Sequence, residues 1–314
     1  MNAKRRRRLL SGVYLTLGVV VISIALALAE GFPRDADFWL AWAAFAVASV
    51  VLAHRSVEVN DRMLMSSSGM VVFTAGAFFA VEGLIAGQVQ SAVFPMTAMA
   101  AAGFLTRGDL RGEHLWRALT NLGQLAGSGF AAGLVVDAFF STSLTTTVLG
   151  TDEVPAVSSL IGARGVALVV ASMVAGASAY TLVNLVLVRV AVLILYRRES
   201  LLPWAHLGRL LGSLVIQAVI GGLLGLVLAV NGSISLVPLV LSMFIIGHMA
   251  FTSQATLRAT HESMLRGFVK ILETRDLYTR GHTERVAEFS LAIGRELGFS
   301  EGQLARMRFA ALIH

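Results

Sequence analysis

No cysteine occurs anywhere in the 314 residues. That absence excludes a disulfide framework and a thiolate-held metal, so any metal must be bound by histidine and carboxylate. Charge is scarce as well: Asp, Glu, Lys and Arg together make up 14% of the chain, well below the roughly 25% of an ordinary soluble domain. Only five prolines are present, which leaves long stretches without a helix breaker. From residue 255 onward there is neither a strand pattern nor a glycine-rich loop of the kind that cradles phosphate.

What fills the chain instead is apolar. Hydrophobic residues account for 56% and the mean hydropathy is +0.76, a composition suited to a lipid bilayer. Eight apolar stretches approach the length needed to cross about 30 Å of hydrocarbon at 1.5 Å per residue. They cover residues 9–29, 36–53, 67–86, 88–106, 118–140, 164–188, 207–229 and 234–254. The third and fourth are joined only by Gly87 to Gln90, which reads as a tight helical hairpin, with a re-entrant pair as the competing reading.

The net charge of +6 is a statement about topology and not about nucleic acid, because the basic residues collect at the ends of the apolar stretches. Lys4 to Arg8 precede the first; Arg55 and Arg62 follow the second; Arg107, Arg111 and Arg117 follow the fourth; Arg197 and Arg198 follow the sixth; Arg258 and Arg266 follow the eighth. Every second connection is basic, and basic connections stay on the cytoplasmic side. Eight spans with both termini in the cytoplasm satisfy the pattern. The first stretch also resembles a signal peptide, with Ala27-Leu28-Ala29 before Glu30, but it is longer than the usual signal core of about 7–15 residues, which favours an uncleaved anchor.

Polar residues inside or beside the apolar stretches are Glu82, Asn121, Gln124, Asp137, Asn184, Arg189, Gln217 and His248. Such groups are costly in hydrocarbon and are candidates for a ligand pocket, although those near an interface cost little. Tyr180, Trp39, Trp42, Trp116 and Trp204 are candidate interfacial anchors. The abundance of Gly, Ala and Ser suits close helix packing and identifies no transported substrate.

Near residue 255 the composition changes. Met264, Leu265, Phe268, Val269, Ile271 and Leu272 form one apolar helical face, opposite Glu262, Arg266, Lys270 and Glu273. This connecting helix either opens the soluble domain or pairs with its copy in a homodimer. Further on, Thr283 is placed to cap a helix whose stripe is Val286, Phe289, Ile293 and Leu297 and which Gly298 ends. Ser300 to Gln303 fits a capping box for a last helix carrying Leu304, Met307, Ala311 and Ile313. The fold class is therefore all-α: a polytopic module of eight helices over residues 1–254, a connecting helix over 255–271, and helices of a further domain over 272–314.

One run in that last segment is specific. Asp276, Tyr278, Thr279, Gly281, His282, Arg285 and Val286 are followed by Ala310-Ala311-Leu312-Ile313-His314. This pattern resembles the opening of an HD-GYP domain, a bacterial family of metal-dependent phosphodiesterases that hydrolyse cyclic di-GMP, and it covers about the last sixth of the chain. The resemblance implies an all-helical HD-type domain, with His282 and His314 as metal ligands, two divalent ions of the Fe or Mn type, and a cytosolic nucleotide substrate. It implies a multi-pass protein of the bacterial cytoplasmic membrane, with the bilayer as a partner and its helices acting as a sensor.

The remaining ligands of that family would follow His314, so the 314-residue chain alone is expected to be inactive. Some members carry Glu four residues before the first His, a feature associated with a third metal. Tyr278 stands there in this chain, and a phenol does not replace a bridging carboxylate at neutral pH, so the two-metal form is expected. An HD hydrolase of another nucleotide, a non-catalytic membrane sensor or scaffold with a degenerate domain, and a transporter with a regulatory tail are the alternative readings.

Overall fold

The computed structural model describes residues 3–29, 36–54, 57–60, 63–65, 68–85, 92–103, 115–141, 148–150, 157–196, 204–231, 242, 246, 260, 263–264, 267–268, 282–299 and 301–313. They fall into two compact units, Met1–His248 and Met249–His314.

Among the described residues the first unit is helical apart from one small hairpin. Its helices are α1 Ala3–Leu28, α2 Ala36–His54, α3 Ser68–Ile85, α4 Val93–Ala102, α5 Leu115–Phe139, the single turn α6 Val157–Ile161, α7 Ala163–Tyr196 and α8 Trp204–Asn231. Five of these contain a segment long and apolar enough to cross a membrane: Lys4–Leu28, Ser68–Ile85, Leu115–Phe139, Ala163–Leu195 and Leu211–Asn231. The expected stretches at 36–53 and 88–106 are apolar helices of lesser length, Trp39–Ala53 and Val93–Ala102. The stretch expected at 234–254 lies outside the described residues except for Ser242 and Ile246.

The shortness of α4 has local causes. At about 1.5 Å per residue its ten residues reach only about half of a hydrocarbon core. Gly103 closes it, donating its N–H to Ala100 O at 3.1 Å. Pro95 sits in the first turn, where a missing N–H costs nothing. Between α2 and α3, strands β1 Val57–Asn60 and β2 Met63–Met65 pair antiparallel with an irregularity between Glu58 and Asn60.

Helix α3 is the centre of this unit. Its residues from Val71 to Val81 are all buried, so it is covered on every side, and a helix apolar all round is suited to that position. Against it α2 sets Phe45, whose ring lies 5.8 Å from Phe78, and Phe78 lies 5.0 Å edge-on to Phe79; such pairs add about 0.5–1.5 kcal/mol beyond area burial. On another side α8 approaches through Gly221 and Gly225. A Cβ at either would come within 2.5 Å of a carbonyl oxygen, of Met70 and Thr74 respectively. The same device joins α5 to α4, where Gly129 faces Met96 O and Gly133 faces Val93 Cα. Small residues four apart let helix backbones touch, and contact of that kind supplies the packing that hydrophobic burial does not supply inside lipid.

The second unit is described chiefly by α9 His282–Glu296 and α10 Glu301–Ile313. Of the connecting helix expected over 255–271, only Thr260, Ser263, Met264, Gly267 and Phe268 are described. Helix α9 starts at His282, one residue before the expected cap Thr283. It ends as Gly298 directs: that residue has φ 73, its N–H donates to Arg295 O at 3.0 Å, and the Phe299 N–H donates to Gly294 O at 2.9 Å. These two bonds form a Schellman motif. The chain then folds back, and α10 packs along α9.

The face that α9 uses differs from the one its periodicity suggests. Ala287 is buried and Gly294 lies against α10, where a Cβ would come within 2.8 Å of Leu304 Cδ2 and 3.1 Å of Met307 Sδ. The apolar stripe points away: Phe289, Ile293 and Leu297 are 68%, 59% and 65% exposed. Small side chains permit the close approach of α10, so the hairpin forms on the small face and leaves the large one open. On α10 the expected residues Leu304 and Ala311 are buried.

Candidate functional site

Two groups of residues were candidates for chemistry, one in each unit. In the second unit His282 is the first residue of α9, while His314 lies outside the described residues, as does the side chain of His282. Because α10 runs back along α9, the start of α9 and Ile313 at the end of α10 come to the same end of the hairpin. Imidazole is a donor suited to Fe, and the positions of both imidazoles lie outside the described residues. Among the described residues no three His, Asp or Glu side chains form a cluster able to hold a metal. Further ligands would have to come from elsewhere.

In the first unit the polar side chains are mostly consumed by helix packing. Asp137, near the end of α5, accepts the N–H of Ala92 at 2.5 Å. Ala92 is the residue that starts α4 and makes no side-chain cap of its own, so a carboxylate from the neighbouring helix performs the capping role at the positive end of the α4 dipole. Glu82 on α3 is half-buried and engaged with neighbouring groups, as is Asn121. Arg189 is exposed on α7, and His248 lies outside the described residues.

Gln124 of α5 donates Nε2–H to Asn184 Oδ1 of α7 at 2.6 Å. Close by along α7, the Tyr14 hydroxyl donates to Leu187 O. Together these bonds tie α1, α5 and α7 along one seam. Gln217 on α8 reaches the Ser213 hydroxyl at 3.3 Å, and its Oε1 is buried beside Gly69 of α3 without a partner. Substituting Gln124→Leu and Asn184→Leu singly and together should give a coupling energy of about 0.6 kcal/mol, and not more than about 1.7 kcal/mol, the range of side-chain hydrogen bonds between membrane helices. Unfolding of the four proteins in mixed micelles measures it, and strict additivity would show that the bond contributes nothing.

Several contacts escaped the sequence reading. Ser49 of α2 is fully buried and donates to Met99 O of α4 at 2.7 Å, and Tyr14 is 1% exposed. The available signal was a hydroxyl on the same helical face as small residues, a face that packs inward. The aromatic anchors divide: Trp42 stacks on Phe94 at 6.2 Å and Tyr180 meets Phe73 at 6.4 Å, so both serve the bundle interior. The side chain of Trp204 lies outside the described residues.

A scan against protein-family models and searches of curated proteins and of solved structures found no match to this chain.

Proposed function

We propose that this chain is the membrane and N-terminal catalytic portion of a signalling phosphodiesterase of the HD-GYP type, which hydrolyses cyclic di-GMP. The observation that carries the reading is the run from Asp276 to Val286, with His282 at its centre, followed by Ala310 to His314. It is supported by the hairpin of α9 and α10, which returns the chain to the end where His282 stands. The open stripe of Phe289, Ile293 and Leu297 supports it too, because further helices of an HD-type domain would cover such a surface.

In this reading the chain has eight spans and both termini in the cytoplasm. Five helices meet the length and hydropathy of a span; α2, α4 and the stretch 234–254 complete the alternation of basic connections. Ligands bound within the spans bias the C-terminal domain, whose substrate is the cytosolic dinucleotide. Two bound metal ions would supply charge neutralisation for the phosphate and a more acidic attacking water. His282 and His314 would be among the ligands that hold them.

The product of the complete reading frame, purified with manganese or iron, should hold two metal ions per chain and cleave cyclic di-GMP in preference to other nucleotides. Three bound ions would contradict the substitution of Tyr278 for the bridging carboxylate. Cleavage of a different nucleotide would make the protein an HD hydrolase of another substrate class. Tight metal binding without any cleavage would make it a sensor or scaffold.

A further inference from the structure

The starts of α1 and α5 bring arginines together with no acidic partner among the described residues. Arg7 Cζ lies 5.2 Å from the centre of the Trp116 ring, and Arg117 Cζ lies 5.5 Å from the same centre. Arg6 is half-buried, and its Nε is enclosed without a hydrogen-bond partner. Among the described residues no carboxylate pairs with Arg6, Arg7 or Arg117. Below them Leu10 and Tyr14 pack with Trp116, Leu187, Ile194 and Leu195, so the cluster sits on a formed floor where α1, α5 and the end of α7 meet.

The arginines and the helix starts of this place attract an anion. The first turns of α1 and α5 add the positive ends of two helix dipoles and unsatisfied N–H groups to the guanidinium charges. An indole face holds a guanidinium flat while leaving its N–H edge available. A planar fork of that kind matches a phosphate in bidentate fashion. The occupant must also suit the next turn of α1, where Leu9 and Val13 are exposed apolar side chains. A soluble phosphate or nucleotide would leave that surface bare, whereas a lipid presents a phosphate joined to hydrocarbon at this depth.

We propose that Arg6, Arg7, Trp116 and Arg117 form a binding site for the headgroup of an anionic phospholipid. Its acyl chains lie along the exposed apolar side chains of α1 and α5. Clusters of basic residues beside a membrane helix recognise anionic lipid in this way, and here the arginines gathered at the Trp116 ring give the attraction a defined place. The inference rests on the membrane placement of the first unit and is independent of any chemistry in the second.

The test uses the full 314-residue chain in nanodiscs of phosphatidylcholine, with and without phosphatidylglycerol. Phosphatidylglycerol should raise the unfolding temperature of the unaltered protein by mass action, and native mass spectrometry should find it retained in preference to phosphatidylcholine. In the variant Arg7→Gln/Arg117→Gln the apparent affinity should fall by about tenfold or more. Arg164→Gln, which removes one positive charge near the start of α7, should leave it unchanged. The pair Arg7→Lys/Arg117→Lys keeps the charge and serves as the folded comparison if the glutamine pair does not assemble; it should bind between the two. Equal response of all four proteins, stabilisation by inorganic phosphate as large as by the lipid, or absence of retained phosphatidylglycerol on the unaltered protein would each overturn the proposal.

Discussion

Replacing His282 with alanine in the product of the complete reading frame should lower metal-dependent cleavage of cyclic di-GMP by about 100-fold or more, with loss of at least one bound ion. The magnitude follows from what a ligand does: altering even the residues behind a metal ligand costs about 10–100-fold, and a two-metal site works by fixing both ions against one phosphate. His282 is the first residue of α9, where alanine is compatible with the helix, so the fold should survive. Helical circular dichroism and the elution volume of the variant should match those of the unaltered protein. Full activity with both ions retained would remove His282 from the site, and with it the motif on which the functional reading stands.

Gly123→Leu should be the most damaging single change in the membrane unit. A Cβ at this position would run into the backbone of Tyr14, against its carbonyl oxygen, carbonyl carbon and Cα. Nothing flexible stands in the way that could turn aside. Overpacking ordinarily costs about 1–3 kcal/mol; here α1 and α5 must separate, which would also part the Tyr14 hydroxyl from Leu187 O. A loss of about 3 kcal/mol or more is therefore expected. Gly12→Leu is the matched comparison, because nothing lies within 4 Å of its Cβ position. Thermal unfolding in detergent should separate the two variants widely, and coincident curves would mean that α1 and α5 do not pack through Gly123.

The helices that cross the unit were legible because an apolar run of twenty or more residues has few other uses. Where length was shorter, composition alone was insufficient. Residues 88–106 are apolar throughout, yet the helix there starts at Val93 and stops at Gly103, and its start is capped by Asp137 from a helix far along the chain. The hairpin at Val57–Met65 is too short for alternation to announce it. Gly298 was legible as a helix end because a left-handed residue there has a single cheap solution. The working face of α9 was not: periodicity identifies which residues share a face, while the choice between faces depended on the small residues Ala287 and Gly294 meeting Leu304 and Met307.

Partners across the bundle were the least accessible to sequence reasoning. Gln124, Asn184, Asp137 and Gln217 could all be marked as polar groups in apolar surroundings, but not that two would bond to each other and one would cap α4. His282 and His314 could be marked as candidate metal ligands only through their motif, because nothing in the local pattern of either residue points to a metal.

The most direct test of the account is the identity of the residue encoded immediately after His314. Sequencing the DNA through that codon should reveal Asp, completing the His-Asp pair, with further histidines and a Gly-Tyr-Pro element downstream. A stop codon or a residue unable to ligate a metal would contradict the phosphodiesterase reading and leave a membrane protein whose function must be sought in its helices.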